Sequence, residues 1–132
     1  MAGATLELTE ANFEDTLAKS GMLFIDFWAA WCGPCRAFAP TFEAAAGKHP
    51  DITFAKVDTE AQQGLARAFE IQAIPTLAIF RDGILLGVNS GALPAAALEE
   101  IIGKVREMDM TEVKAEAAKR QAEADAQKPE AK

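Results

Sequence analysis

Met22-Leu23-Phe24-Ile25-Asp26-Phe27-Trp28 runs through Ala29-Ala30 into Trp31-Cys32-Gly33-Pro34-Cys35. The near-continuous apolar run predicts a central strand covered on both faces. The two cysteines then fall where that strand ends and a helix begins. The amino end of a helix carries unpaired N–H groups and a partial positive charge, which favour a thiolate over a thiol. The thiolate is the form that attacks disulfides. A second cysteine three residues on lies about one helical turn away, within reach of an S–S bond. The spacing therefore permits a pair that cycles between dithiol and disulfide with little backbone movement.

The chain has 132 residues, enough for one domain with a real core, and half of them are hydrophobic. The net charge of -7 argues against nucleic acid and anionic lipid as partners. No stretch approaches the roughly 20 apolar residues that span a bilayer. The start, Met1-Ala2-Gly3-Ala4-Thr5-Leu6-Glu7, shows no basic region followed by an apolar core, so no signal peptide is expected and the expected compartment is the cytoplasm. Thiols are kept reduced there, so a C-x-x-C reads as catalytic or metal-binding rather than as a structural staple. A zinc or cluster half-site needs two further ligands. His49 is the only histidine and there is no third cysteine, which leaves a metal only as a site shared between two chains.

Outward from the cysteines, Thr5 to Leu8 reads as a short strand. Thr9 reads as the N-cap of a helix bearing Phe13 and Leu17, which Gly21 ends. The helix after Cys32 runs toward Lys48 with Phe38, Phe42 and Ala45-Ala46 on its apolar side, and Pro40 is expected to kink it. Ile52 to Asp58 and Thr76 to Arg81 read as strands, with Glu60 to Phe69 helical between them. Asp82-Gly83 is a two-residue hairpin signal leading into Ile84 to Val88. A long helix from Pro94 places Leu98, Ile101, Ile102, Val105 and Met108 at helical spacing. The order β-α-β-α-β-α-β-β-α implies an α/β fold with a mixed sheet and helices on both faces.

After about Met110 the composition changes. Thr111 to Lys132 contains no aromatic residue and no glycine. It favours helix but has nothing large to bury. The expected organisation is a domain over residues 1–109 and a polar, Ala/Glu/Lys-rich helical or frayed extension over 110–132. The extension is read as the last helix projecting beyond the domain and fraying before Pro129, or alternatively as a helix for a partner.

The chain resembles the thioredoxin family. Phe27-Trp28-Ala29-Ala30-Trp31-Cys32-Gly33-Pro34-Cys35 is similar to that family's active-site segment almost residue for residue. The likeness continues at Asp26, Pro40, Lys56-Val57-Asp58, Ile74-Pro75-Thr76, Asp82-Gly83 and Gly91-Ala92, in the family's order and spacing, over about Leu6 to Val105. Arg36 stands where lysine is common and keeps a positive charge near the site. The tail lies outside the resemblance. The fold implied is the thioredoxin fold, a central mixed sheet of about five strands flanked by helices on both faces.

The resemblance also implies roles. Cys32 is the expected nucleophile and Cys35 the resolving thiol. Thioredoxin is itself the standard worked case of a thiol depressed to about 7, so that value comes with the family and not with this sequence. Gly33 and Pro34 tune the pair, and in the family this dipeptide goes with a reducing protein. Asp26 is a carboxylate in an apolar strand. By alternation it shares a face with Phe24 and Trp28. If buried, its pKa should rise; the other reading is an exposed strand end. The family makes it a proton acceptor for Cys35, with Lys56 as a modulator, although a snorkelling surface lysine fits Lys56 nearly as well. Pro75 resembles the family's cis-proline, whereas sequence alone favours a strand-start proline. With Ile74 and Thr76 it would offer backbone groups to an extended peptide. Trp31, Ile74, Pro75, Gly91 and Ala92 would form an apolar substrate patch, while Trp28 reads as core packing. Pro40 reads as structural, and His49 is given no role.

The activity implied is protein-disulfide reduction in the service of redox homeostasis. It needs no bound cofactor, because the cysteines carry the electrons. The implied partners are substrate proteins with disulfides and a thioredoxin reductase that is NADPH-dependent and contains flavin. A monomer is expected. The alternatives are an exported disulfide oxidase or isomerase, and a binding or scaffold subunit that uses the C-terminal helix.

Overall fold

Strand β2, Met22–Trp28, holds the centre of a five-stranded sheet in the computed structural model, which describes residues 4–127. Pro129, where the tail is expected to fray, lies outside the described residues. The other strands are β1 (Thr5–Glu7), β3 (Thr53–Asp58), β4 (Thr76–Arg81) and β5 (Ile84–Ser90), in the spatial order β1-β3-β2-β4-β5. β1 and β2 run parallel to β3, while β2 with β4 and β4 with β5 are antiparallel. This is the mixed sheet expected from the element order. Leu8 lies beyond β1, yet its N–H still donates to the Lys56 carbonyl at 2.9 Å.

Alternation in β2 divides the interior. Phe24 faces the larger core, with Phe38 and Phe42 of α2 (Gly33–Lys48) and Leu98, Ile102 and Val105 of α4 (Ala95–Glu107). Leu23, Ile25 and Phe27 face the other core, with Phe13 and Leu17 of α1 (Phe13–Lys19) and Leu65 of α3 (Gln63–Ala68). Helices thus cover both faces, and a one-residue slip of β2 would exchange its two faces. Asp82 (φ 53°) and Gly83 (φ 79°) form the hairpin turn between β4 and β5. Both left-handed residues are what a two-residue hairpin of this hand requires.

Several boundaries differ from the sequence reading; α3, for one, spans Gln63–Ala68 and not Glu60 to Phe69. α1 starts at Phe13 and not after Thr9. Thr9 and Asn12 instead bond reciprocally, Asn12 N–H to Thr9 Oγ1 (3.3 Å) and Thr9 N–H to Asn12 Oδ1 (2.7 Å), which closes a turn before the helix. β5 continues two residues past Val88, to Ser90, with Asn89 and Ser90 paired to Leu77 and Thr76 of β4. The last helical stretch is broken. α4 ends at Glu107, and α5 runs over Met110–Gln127. Arg81 drives the break by donating to the carbonyls of Val105 (2.6 Å), Arg106 (3.3 Å) and Met108 (3.2 Å), so the end of α4 is satisfied by a side chain. Asp109 then caps α5 by accepting from Thr111 N–H at 3.0 Å. Met110 is buried, Val113 and Ala117 are half-buried, and Lys114 pairs with Asp82 at 3.4 Å. The first turns of α5 therefore lie back against the hairpin instead of projecting as a continuation of α4.

His49, given no role from sequence, joins the end of α2 to α4. Its ring bonds Glu99 at 2.8 Å through Nε2 and Arg106 at 2.9 Å through Nδ1.

Candidate active site

β2 ends at Trp28, and α2 begins five residues later. Cys32 stands between them as the N-cap, in an extended conformation. Pro34 occupies the first turn, where its missing N–H costs nothing. The next amide, that of Cys35, donates to Cys32 Sγ at 3.1 Å. The sulfur therefore takes the place that a serine or aspartate oxygen takes at other helix starts. An N–H aimed at sulfur, on the positive end of a 16-residue helix, stabilises a thiolate there.

Cys32 and Cys35 are joined as a disulfide with a Cα–Cα separation of 5.2 Å. In this state both are buried, Cys32 at 4% and Cys35 at 2% exposure. Exposure thus hardly distinguishes the two sulfurs. Position separates them better. Cys32 lines a cleft of about 460 Å³ with Trp31, Gly33, Pro34, Ala66 and Ile74, whereas Cys35 does not border it. Thr59, Ile71, Gln72 and Ala73 complete the lining, and no charged residue is among the ten.

Trp31 is 67% exposed at the rim. The Ile74–Pro75 bond is cis. The Ile74 carbonyl lies 3.7 Å from Cys32 Sγ, and the Pro75 carbonyl is already bonded by Gly91 N–H at 2.8 Å. Thr76 is buried in β4 between β2 and β5, with its hydroxyl on the Ala73 carbonyl at 2.5 Å. Gly91 and Ala92 are exposed and sit next to Pro75 through that one bond, outside the cleft. The residues expected to form one patch therefore fall into two groups. Sequence reasoning missed Thr59, Ala66 and the run Ile71-Gln72-Ala73. The adjacency of that run to Ile74-Pro75 was the available signal.

Asp26 is fully buried, and among the described residues neither of its carboxylate oxygens has a hydrogen-bond partner. Burial pushes its pKa from 3.8 up to about 7, with the nearby Lys56 ammonium opposing and the Glu43 carboxylate assisting. Lys56 is its register neighbour on β3. The Lys56 ammonium, however, pairs with Glu43 of α2 at 3.6 Å and sits 5.0 Å from the centre of the Trp28 ring. Trp28 also packs against Ala29, Cys32 and Cys35, so it is more than the plain core residue expected. Glu43 was not singled out from sequence, although it is the only acid in α2.

Comparison with known proteins bears on the whole arrangement. The sequence model of the family described as Thioredoxin matches residues 4–104. The putative thioredoxin 2 of Streptomyces coelicolor is 50% identical over 121 residues, 92% of this chain and 90% of its own. The thioredoxin of Mycobacterium bovis is 41% identical over 97 residues, 72% of this chain and 84% of its own. Among solved structures, the oxidized mitochondrial thioredoxin 3 of Saccharomyces cerevisiae superposes with a TM-score of 0.72 at 33% identity, over 78% of this chain and 97% of that one.

Proposed function

The chain belongs to the thioredoxin family, and from that membership we propose that it reduces disulfides in other proteins through Cys32 and Cys35. The family carries no cofactor and works by a redox-active disulfide. The observation that carries the reading is Cys32 itself, an N-cap sulfur receiving the Cys35 N–H at the mouth of an uncharged cleft. In the reduced state the Cys32 thiolate attacks one sulfur of a substrate disulfide. A mixed disulfide forms and one substrate thiolate leaves. Cys35 gives up its proton, with Asp26 as acceptor, and attacks Cys32 Sγ. The Cys32–Cys35 bond forms, the second substrate thiolate leaves and is protonated, and two electrons have passed to the substrate.

The supporting roles follow the same reading. Lys56 modulates Asp26, and Gly33 and Pro34 shape the first turn of α2. Trp31, Ile74 and the backbone about Pro75 receive an extended peptide, with Thr76 beneath and Gly91 and Ala92 flanking. The electrons come from a reductase that uses NADPH and flavin. Among the described residues no helix is long and apolar enough to cross a membrane. We place the protein in the cytoplasm as a monomer, with the working domain over residues 1–109 and the extension over 110–132.

Turnover of a disulfide-bonded protein substrate tests this. Cys32→Ser should lower the rate at least about 1,000-fold, because Cys32 is the sulfur that lines the cleft and Cys35 does not border it. Cys35→Ser should leave the first attack intact and accumulate the mixed disulfide, visible as a substrate-sized mass increase. A Cys32→Ser chain that still turned over would overturn the mechanism. A reduction potential near the thioredoxin benchmark of about -270 mV supports the reducing direction. One above about -200 mV would assign an oxidase or isomerase instead.

A further inference from the structure

Asp26 and Lys56 are directly opposed in the register of β2 and β3. An aspartate and a lysine so placed would ordinarily pair, and the pairing would hold the carboxyl ionised. They do not pair here, for neither Asp26 oxygen has a hydrogen-bond partner. The lysine is drawn elsewhere. Its ammonium lies 3.6 Å from Glu43 Oε2 and over the Trp28 ring. Glu43 in turn is fixed by β1, whose Thr5 hydroxyl reaches both of its carboxylate oxygens, at 3.0 and 3.1 Å. Both side chains of the ion pair are half-buried, so the contact is screened less than a fully exposed surface pair.

We propose that Glu43 is a positioning residue for proton transfer at Asp26: anchored by Thr5, it withholds the Lys56 ammonium from the buried carboxyl. This rests on Asp26 being the proton acceptor for Cys35. Three elements border Asp26. β3 contributes Lys56 and β4 the apolar Leu77, both as register partners, and α2 contributes Glu43. With Glu43 in place, the one cation near Asp26 among the described residues is neutralised by a nearby anion, and desolvation decides the protonation state. With Glu43 neutral, the anion is lost and Lys56 is free to turn inward. Both changes favour ionised Asp26.

The test is a titration of Asp26 in the full-length oxidised chain carrying 13C-labelled aspartate, read from its carboxyl resonance. Glu43→Gln should move the midpoint from about 7 down by about one unit. Thr5→Val should move it the same way by a smaller amount, although the Glu43 charge is retained. Lys56→Met should raise it. Glu43→Gln placed on Lys56→Met should then have under about half the effect it has with Lys56 present. A midpoint unmoved by Glu43→Gln overturns the proposal, and would mean that Trp28 alone holds the lysine. An equal shift with and without Lys56 also overturns it, leaving only a direct charge effect. A purely structural ion pair would move the unfolding midpoint and not the titration. The titration uses no substrate, so its failure is separate from that of the underlying reading. The latter fails if Asp26→Asn leaves the rate and pH profile of mixed-disulfide resolution unchanged.

Discussion

Two clefts of similar size adjoin the segment from Trp28 to Cys32, and they differ in the charge of their walls. One, of about 460 Å³, contains Cys32 and Trp31 and no charged residue. The other, of about 390 Å³, is lined by Thr5, Leu6, Glu7, Trp28, Lys56 and Asp58. On the mechanism proposed above, the contrast is a division of labour. Thiol–disulfide exchange needs a surface that accepts many polypeptides and lets the thiolate lose its water, and apolar walls do both. Proton transfer from Cys35 needs a base whose pKa lies near neutral. That depends on burial balanced against fixed charges, which the apolar cleft lacks. Cys32, the N-cap of α2, lines one cleft, and Lys56, which pairs with Glu43 of α2, lines the other.

The largest expected effect comes from deleting the buried charge. Asp26 has a folded pKa of about 7 against an ordinary value of 3.8. The folded state therefore binds more protons than the unfolded chain between about pH 4 and pH 7. Stability is fully present below the lower value and is lost as pH rises through the upper one. The displacement amounts to about 4 kcal/mol at most. Asp26→Asn should thus stabilise the oxidised chain by up to about 4 kcal/mol at pH 8, with the gain shrinking toward pH 4. The same variant should slow resolution of the mixed disulfide. Denaturant unfolding across that range checks the sign; a gain independent of pH would mean that Asp26 is not the group being unloaded.

A smaller effect separates the clefts from the other side. Trp31 is mostly exposed at the rim of the apolar cleft, so Trp31→Ala removes contact area and little folding energy. We expect KM for protein substrates to rise about tenfold, equivalent to about 1.4 kcal/mol, with kcat and the pH profile unchanged. A shifted pH profile would show that the two clefts are coupled.

How much of this was legible in sequence depended on the range of the cause. β2, β4 and the Asp82-Gly83 turn were readable because local pattern and turn chemistry determine them. The cysteine pair was readable from its place after β2. The break before α5 was not, because Arg81 reaches it from another element. Even so, Asp109 followed three residues later by Glu112 is a helix-start signal inside a run that looked continuous. Glu43, on a helix, was missed because its meaning comes from Thr5 and Lys56, on two strands. The cleft walls at Ala66 and Ile71 were missed for the same reason. They are ordinary residues made part of the site by tertiary placement.

The smallest effect concerns the wall that α3 supplies to the apolar cleft. Glu10 holds this helix by accepting from Gly64 N–H at 2.8 Å, while its own N–H donates to Gln62 Oε1 at 3.0 Å. A Cβ on Gly64 would lie 2.5 Å from Glu10 Oε2. The clash is with the far end of an exposed, flexible side chain, so Glu10 can swing away at the cost of that one bond. A hydrogen bond to a charged group contributes about 1.5–3 kcal/mol in general, and less where water replaces it. Alanine in place of a helical glycine returns about 1 kcal/mol. Gly64→Ala should therefore change stability by under about 1 kcal/mol while loosening the link between Glu10 and α3. If that link positions Ala66, KM should rise about two- to threefold with stability nearly constant. Glu10→Gln, which keeps the shape and the acceptor, should raise it less. An unchanged KM in both variants would show that the core residue Leu65 alone sets α3, and that the apolar cleft owes its shape to packing and nothing to its charged neighbour.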